Sequence, residues 1–381
     1  MSENFFSPCP RGLETMLANE LSTLDAQEVR TTDGGVHFTG PFSLSYRVNL
    51  HSRIASRVLW RVAIAHYRNE HDIFDTAYAL PWNDWFDTSH TIRVNMTAIK
   101  CPLKSLDFAT LKIKDAVCDK FRALTGHRPS VDTHTPDIRI HAFLETSRMT
   151  LYVDTSGDAL FKRGVRQYTN VAPLRENLAA GILLLASWQP GVPLLDPMCG
   201  SGTFLIEAAL MSLNIAPGIS RSFAFEKLKN FDAAAWREMR SQAQAAQKPV
   251  SALPIFGSDL YGDELKAAQL NLENAGLLNA VTLNQANVLE ISAPADHGVL
   301  VANLPYGERM GDLEELQALY PKLGDVLKKK FGGWNAYLFT SDLRMPKSIR
   351  LSVSRRTLLF NGAIECRLFE YKMVTGSNRT E

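Results

Sequence analysis

Hydrophobic positions along this 381-residue chain follow two rhythms, and the rhythm changes near its middle. Leu13, Met16, Leu17, Leu21 and Leu24 recur at helical spacing, so a helix is predicted over 13–24. Val29-Arg30-Thr31 and Val36-His37-Phe38 flank Asp33-Gly34-Gly35, a hairpin pattern, and 42–50 reads as a second helix. The next hundred residues mix the periods. Strands are predicted at 92–96, 138–144 and 150–153. A helix is predicted over 108–124, with Leu111, Ala116, Val117, Phe121 and Leu124 on its apolar side, ending at Gly126 and Pro129.

From about residue 171 the pattern becomes strand–helix alternation. A helix with Leu178, Ile182 and Leu185 on one side is followed by a strand at 192–195, a glycine-rich turn and a helix over 204–213. A second strand–helix pair spans 254–259 and 264–275, and further strands fall at 299–302 and 336–340. Such alternation predicts a parallel sheet covered on both faces. Asn361-Gly362 between two apolar runs predicts a closing antiparallel hairpin. The length allows two or three domains.

Composition narrows the setting. A mean hydropathy of −0.11 with 45% hydrophobic residues describes a water-soluble globular chain. No long uncharged apolar stretch and no basic–apolar leader are evident, so a cytoplasmic protein without a membrane span is expected. The five cysteines are scattered and the histidines lack metal-ligand spacing, so neither a disulfide framework nor a metal site is expected. Net charge is only +1, but residues 322–356 carry nine Lys/Arg against two Asp. That run reads as a solvated helix face or as a rim facing phosphates. Lys162, Arg163 and Arg166, in a stretch that reads as a connector, leave the same two readings open, with solvated loop charges as the default.

Three motifs carry chemistry. Asp196-Pro197-Met198-Cys199-Gly200-Ser201-Gly202-Thr203 sits between a strand and a helix, where glycines let the backbone approach a ligand and the helix start offers free N–H groups. It is no dinucleotide fingerprint, because Leu205 stands where the third glycine would fall, and no P-loop, because no Gly-Lys-Ser/Thr follows. Asp259 ends the next strand, where a carboxylate can accept from both hydroxyls of a ribose. An Ala/Gln-rich insert over about 214–253, read as helical, separates the two. Asn303-Leu304-Pro305-Tyr306 follows a buried strand. A base's exocyclic amine is a poor nucleophile, since its lone pair is delocalised into the ring. The Asn303 side-chain oxygen and the backbone carbonyl of Leu304 or Pro305 could accept its hydrogens and favour a tetrahedral nitrogen, with Tyr306 stacked on an extruded base.

These motifs, in this order, resemble class I methyltransferases acting on exocyclic amines. Cys9-Pro10-Arg11-Gly12-Leu13-Glu14, Arg128-Pro129-Ser130-Val131-Asp132, Pro136-Asp137-Ile138-Arg139-Ile140 and Asn361-Gly362-Ala363-Ile364-Glu365-Cys366 extend the likeness over nearly the whole chain. The chain resembles the THUMP-domain 23S ribosomal RNA guanine-N2 methyltransferases of the RlmL type. The resemblance implies a ferredoxin-like unit (1–50), a THUMP RNA-binding domain (51–155), a connector (156–170), a Rossmann-like methyltransferase domain (171–375) with a mostly parallel sheet and a C-terminal antiparallel hairpin, and a tail (376–381).

It further implies S-adenosylmethionine as cofactor, held by Asp196, Cys199, Gly200, Gly202, Thr203, Asp259 and Asn287, with Asn303, Leu304, Pro305 and Tyr306 catalytic. The helix starting near Arg175-Glu176-Asn177 would lie by the methionine end of the cofactor. The implied partner is 23S ribosomal RNA or its precursor. Removing residues 1–155 would cost RNA binding and spare cofactor binding. Three departures stand out. Leu304 replaces a commoner proline, Asn287 replaces a commoner aspartate, and a second methyltransferase domain found in some relatives does not follow, so its activity is expected to be absent. A transfer RNA guanine-N2 enzyme, a nucleic-acid adenine-N6 enzyme and a non-catalytic RNA-binding assembly factor are the competing readings.

Overall fold

The computed structural model describes residues 2–164, 174–305 and 310–374, with the backbone alone over 310–313. The chain divides into two compact units. One comprises residues 1–9, 17–160 and 220–242. The other comprises residues 10–16, 161–219 and 243–381.

The first unit is built on one seven-stranded sheet. In chain order it contains β1 (Glu3–Pro8), α1 (Glu14–Thr23), β2 (Gln27–Thr32), β3 (Gly35–Gly40), α2 (Leu44–His51), β4 (Leu59–His66), α3 (Glu70–Ala79), α4 (Trp82–Trp85), β5 (Ile92–Ala98), α5 (Leu106–Thr125), β6 (Ile138–Leu144) and β7 (Arg148–Asp154). The sheet order is β2-β3-β1-β4-β7-β6-β5, so β4 joins the three N-terminal strands to the three later ones. The registers Phe38↔Phe5, Phe5↔Trp60, Trp60↔Val153, Val153↔Ile140 and Ile140↔Val94 run a row of apolar side chains across the sheet. With strand side chains alternating faces, that row is the core side.

Helix ends follow local chemistry. Asn69 accepts from the backbone N–H groups of His71 and Asp72 at the start of α3, and Ser105 accepts from Phe108 at the start of α5. Gly126 ends α5 in the left-handed region at φ +78°. The apolar side expected for α5 needs correction. Leu111 and Leu124 are exposed, while Ala109, Ile113, Ala116, Val117 and Phe121 are buried. The aliphatic spacing was satisfied by two stripes, and only one of them meets the core.

Residues 220–242 belong to this unit although they lie between helices of the later half. Their anchor is aromatic: Tyr46 lies 4.4 Å centroid to centroid from Phe225, and Trp236 meets Phe225 edge-on at 5.1 Å. The stretch expected to be a connector starts with a fully buried residue, Ser156.

The second unit holds α6 (Glu176–Leu185), β8 (Leu194–Asp196) and α7 (Thr203–Ser212). After α8 (Ala233–Ala245), which straddles the division between units, come β9 (Ile255–Asp259), α9 (Gly262–Asn274), β10 (Thr282–Gln285), β11 (Gly298–Asn303), α10 (Met310–Lys330), β12 (Trp334–Thr340), α11 (Met345–Ser348), β13 (Arg355–Asn361) and β14 (Ile364–Lys372). The sheet order is β10-β9-β8-β11-β12-β14-β13. The first five strands are parallel and the last two antiparallel, as the hairpin signal predicted. The chain winds outward from β8 through β9 to β10, then restarts on the other side with β11. In open parallel sheets, ligands bind where such a reversal occurs, here outside the carboxyl ends of β8 and β11.

Residues 10–16 pack with this unit. Leu13 is fully buried, and a Cβ on Gly181 of α6 would come within 2.2 Å of its Cδ1. Gly12, at φ +93°, lies so close to the hairpin that a Cβ would meet the Leu358 carbonyl oxygen at 2.3 Å. The Arg11 guanidinium stands 4.2 Å from the centre of the Phe360 ring.

Candidate functional site

Strand register places the chemistry. On β8, Leu195 pairs with Leu300 of β11, and Asp196 pairs with Gly257 of β9. Counting outward, Asp259 and Asn303 are level with residue 198 of the turn, one on each side of it. Two strand spacings set them roughly 10 Å apart. The turn leaves β8 at Asp196 and enters α7 at Thr203, with Gly200 at φ +50° and Gly202 at φ +82°, both in the left-handed region glycine favours.

The turn is fastened to its neighbour. The Cys199 N–H donates to the Ser258 carbonyl at 2.9 Å, and the Gly200 N–H donates to Asp259 Oδ2 at 2.9 Å. Asp259 Oδ1 accepts from the Tyr261 N–H at 3.0 Å. From α9, Asn271 is fully buried and donates to the Ser201 carbonyl at 3.1 Å. Among the described residues, a Cβ on Gly200 would find only Glu264 Oε2, at 3.8 Å, which leaves room for a ligand against the backbone there.

The electrostatics are acidic. Burial pushes the Asp196 carboxyl well above the usual carboxylate range. The Met198 N–H pulls it back a little, and the Asp259 charge adds to the rise. Burial first, then Asp259 and Asp263, raise Glu264. Burial, followed by Asp196 and Asp259, pushes the Cys199 thiol up, so it is no thiolate nucleophile. Carboxylates that raise one another favour a cationic ligand, and the glycine backbone leaves space for one.

Asn287 stands two residues beyond Gln285, which pairs with Asp259 across β10 and β9. The Ala286 N–H donates to the Asp259 carbonyl, and the Asn287 Oδ1 accepts from the Leu289 N–H at 2.9 Å. One lone pair of that oxygen is therefore spent on the local turn. On the other side, Asn303 is half-buried and Pro305 exposed, while Leu304 is fully buried in the core cluster with Leu300, Tyr320 and Leu338. The Leu304 N–H donates to the Phe339 carbonyl at 2.9 Å, so the parallel pairing with β12 continues into the loop. Tyr306 lies outside the described residues, as does Arg166.

Glu264 and Asn271 escaped the sequence reading. They stand seven residues apart, two turns along one side of α9, a spacing that could have drawn attention to them. Arg163 needs correction. It is not a solvated loop charge but is buried at 3% exposure, its Nε donating to Glu207 Oε1 of α7 at 3.0 Å. Among the described residues no group of His, Cys, Asp or Glu could hold a metal ion, and no helix is long and apolar enough to cross a membrane. None of the five cysteines is in a disulfide.

Comparison with known proteins gives three family matches: an RMKL-like methyltransferase domain over residues 163–370, a THUMP domain over 67–154 and an RlmL ferredoxin-like domain over 4–59. The ribosomal RNA large subunit methyltransferase K/L of Shewanella sp. (strain W3-18-1) is 38% identical over 99% of this chain. The chain spans about half the length of that relative, 54%. A Synechocystis protein, slr0064, named only provisionally as an RNA methyltransferase, is 37% identical over 97% of this chain and 96% of its own length. The crystal structure of SMU.472, a provisionally named methyltransferase in complex with SAH, superposes with a TM-score of 0.90 at 29% identity, covering 99% of each chain.

Proposed function

The chain belongs to the RMKL-like methyltransferase family, with RlmL ferredoxin-like and THUMP domains before the methyltransferase domain, and from that membership we propose that it methylates the exocyclic N2 of a guanine in 23S ribosomal RNA, using S-adenosylmethionine. The observation that carries the reading is the level placement of Asp259 and Asn303 on either side of the glycine turn. It supports the reading because an acid that could hold a nucleoside and an amide that could hold an amine would then lie about two strand spacings apart.

The residues present fit the cofactor. Asp259 would accept from its ribose, the open backbone at Gly200 would let it lie close, and the start of α7 at Thr203 would face its carboxylate. Asp196, Cys199 and Gly202 shape the turn, and Asn287 would border the adenine beside Asp259. The acidic surroundings suit its positive sulfonium. When bound, the cofactor supplies a methyl group activated by that charge.

The remaining work falls to this chain's own atoms. The Asn303 side-chain oxygen and the Leu304 carbonyl accept the two amine hydrogens, which orients the nitrogen lone pair toward the glycine turn. Leu304 is held by its buried side chain and by its N–H bond to Phe339, so a backbone acceptor there is rigidly placed. Pro305 stiffens the loop, and Tyr306 stacks on the base once it leaves its helix. The arrangement would serve an adenine N6 amine equally well. The guanine and the ribosomal substrate rest on the likeness to the K/L relatives.

The test is transfer of a labelled methyl group to 23S ribosomal RNA that lacks the modification, followed by nucleoside mass spectrometry. N2-methylguanosine is the expected product. N6-methyladenosine would reassign the base. Transfer only to transfer RNA would reassign the substrate. No transfer to any RNA would leave a binding factor.

A further inference from the structure

Residues 10–14 and the β13–β14 hairpin meet within the second unit and have no part in the chemistry above. The Arg11 guanidinium lies over the Phe360 ring. Arg175, at the start of α6, lies over the Phe161 ring at 4.9 Å, and its Nη2 stands 3.7 Å from where a Cβ on Gly362 would be. Gly362 turns the hairpin at φ +64°, a conformation that a larger residue would strain. Phe360 and Gly362 are two residues apart, so the two guanidiniums meet the hairpin about 7 Å apart along the strand.

Register sets this pair on the ligand side of the sheet. Asn303 is level with Phe339, Phe339 with Leu368, and Leu368 with Thr357. From Thr357 the chain runs on for five residues to Gly362. The hairpin tip therefore stands roughly 16 Å beyond the level of Asn303, on the edge where β8 and β11 end. Across the sheet, three strand spacings, about 14 Å, separate β11 from β13. A few nucleotides of extended RNA span such a distance.

A guanidinium stacked on a ring keeps its N–H donors in its own plane, so the ring holds it in place without spending them. Both arginines are exposed, and among the described residues neither guanidinium makes a hydrogen bond or an ion pair. The nearby acids are occupied or covered. Glu14 accepts from the Gly12 N–H, Glu365 pairs with Arg367, and Glu176 is only 5% exposed.

We propose that Arg11 and Arg175 grip phosphates of the RNA strand beside the target nucleotide and so position its base for the loop at Asn303. The proposal rests on the RNA reading above. Guanidinium forks match phosphate oxygens two at a time. An RNA backbone fits better than an acidic protein segment, because both cations stand on the sheet edge that carries Asn303, where the strand bearing the target base must pass.

The test uses the full chain and unmodified 23S ribosomal RNA, with steady-state methyl transfer and with equilibrium binding over a range of potassium chloride concentrations. Arg11→Gln and Arg175→Gln are each expected to raise the KM for RNA severalfold at unchanged kcat. Each should also reduce the slope of log affinity against log salt by about 0.7–0.9, one phosphate contact. The double variant should lose both increments. Arg11→Lys and Arg175→Lys keep the charge and should keep the slope. Lys266→Gln, on α9, should behave as the parent does, and calorimetry with S-adenosylhomocysteine should give parental affinity throughout. Parental KM and slope in the double variant would overturn the clamp and leave the hairpin edge to an acidic protein partner. Weaker S-adenosylhomocysteine binding by Arg175→Gln, at parental slope, would overturn it by moving that arginine to the cofactor. Equal losses in the Gln and Lys variants would reduce both residues to a structural role and overturn it too. A reduced slope in the Gln variants, with no methyl transfer by the parent protein, would keep the clamp and remove the reaction.

Discussion

The Gly200 N–H donates to the Asp259 carboxylate at 2.9 Å, tying the glycine turn of one strand to the terminal acid of the next. The carboxylate therefore holds the turn closed while keeping lone pairs for a ligand. Asp259→Ala is expected to weaken S-adenosylhomocysteine binding roughly 10- to 100-fold, from lost charge-assisted hydrogen bonds and a loosened turn. Asp259→Asn should lose less. Isothermal calorimetry distinguishes them, and parental affinity in the alanine variant would remove Asp259 from the site.

Asn303→Ala is expected to lower the rate constant for methyl transfer by about 100-fold or more, with RNA affinity nearly unchanged, since it removes an acceptor used at the reacting nitrogen. Single-turnover kinetics with saturating cofactor are the check. Leu304→Ala acts differently. It leaves a cavity beneath the loop and should cost about 3 kcal/mol of stability, read in urea unfolding.

Burial keeps the Asp196 carboxyl protonated to higher pH than an ordinary carboxylate. A carboxyl raised by folding contributes stability at low pH that is lost as pH rises through its folded pKa. The melting temperature of the parent should therefore fall over the part of the range just above the ordinary carboxylate pKa. Asp196→Asn should flatten that fall and leave stability at neutral pH unchanged or higher. A lower neutral-pH melting temperature in the variant would contradict the protonated state.

Asp137 runs the opposite way. Burial pushes its carboxyl up, but the hydrogen bond from Lys227 and those from Thr91 outweigh burial and bring it down to about 2. Its contribution is present above the unfolded carboxylate pKa and lost as pH falls toward 2. Because the pair is partly exposed, the effect should stay below about 1 kcal/mol. Asp137→Asn should flatten the acid limb of the stability curve, measured by chemical denaturation across pH.

The candidate site stood out in the sequence where backbone demands select unusual residues. Glycines at positive φ, an acid at a strand end and a proline-stiffened loop after an apolar strand are visible one residue at a time. What stayed hidden depends on partners distant in sequence. Nothing local marks Arg163 as buried, since its partner Glu207 is on α7. β10, half-buried at Leu283 and exposed elsewhere, has no apolar alternation to betray it. The strand read at 192–195 forms two residues later, at Leu194–Asp196, after a turn through Gly191 at φ +95°. The separability implied for residues 1–155 also meets an obstacle, because such a cut would take Leu13 out of the second unit's packing.

Leu13→Ala should therefore destabilise the second unit by about 3 kcal/mol while leaving the first unit's unfolding in place. Differential scanning calorimetry would show two transitions drawing apart. A variant with one undisplaced transition would mean that residues 10–16 bear no load.

The strap from residue 10 to 16 also constrains how the molecule is made. Leu358 and Phe360, against which Gly12 and Arg11 rest, leave the ribosome long after these residues do. The first sheet, whose strands end at Asp154, can zip up long before then. An early ribbon must wait, tethered to a finished neighbour, for the hairpin that will cover it, so vectorial folding here ends where it began.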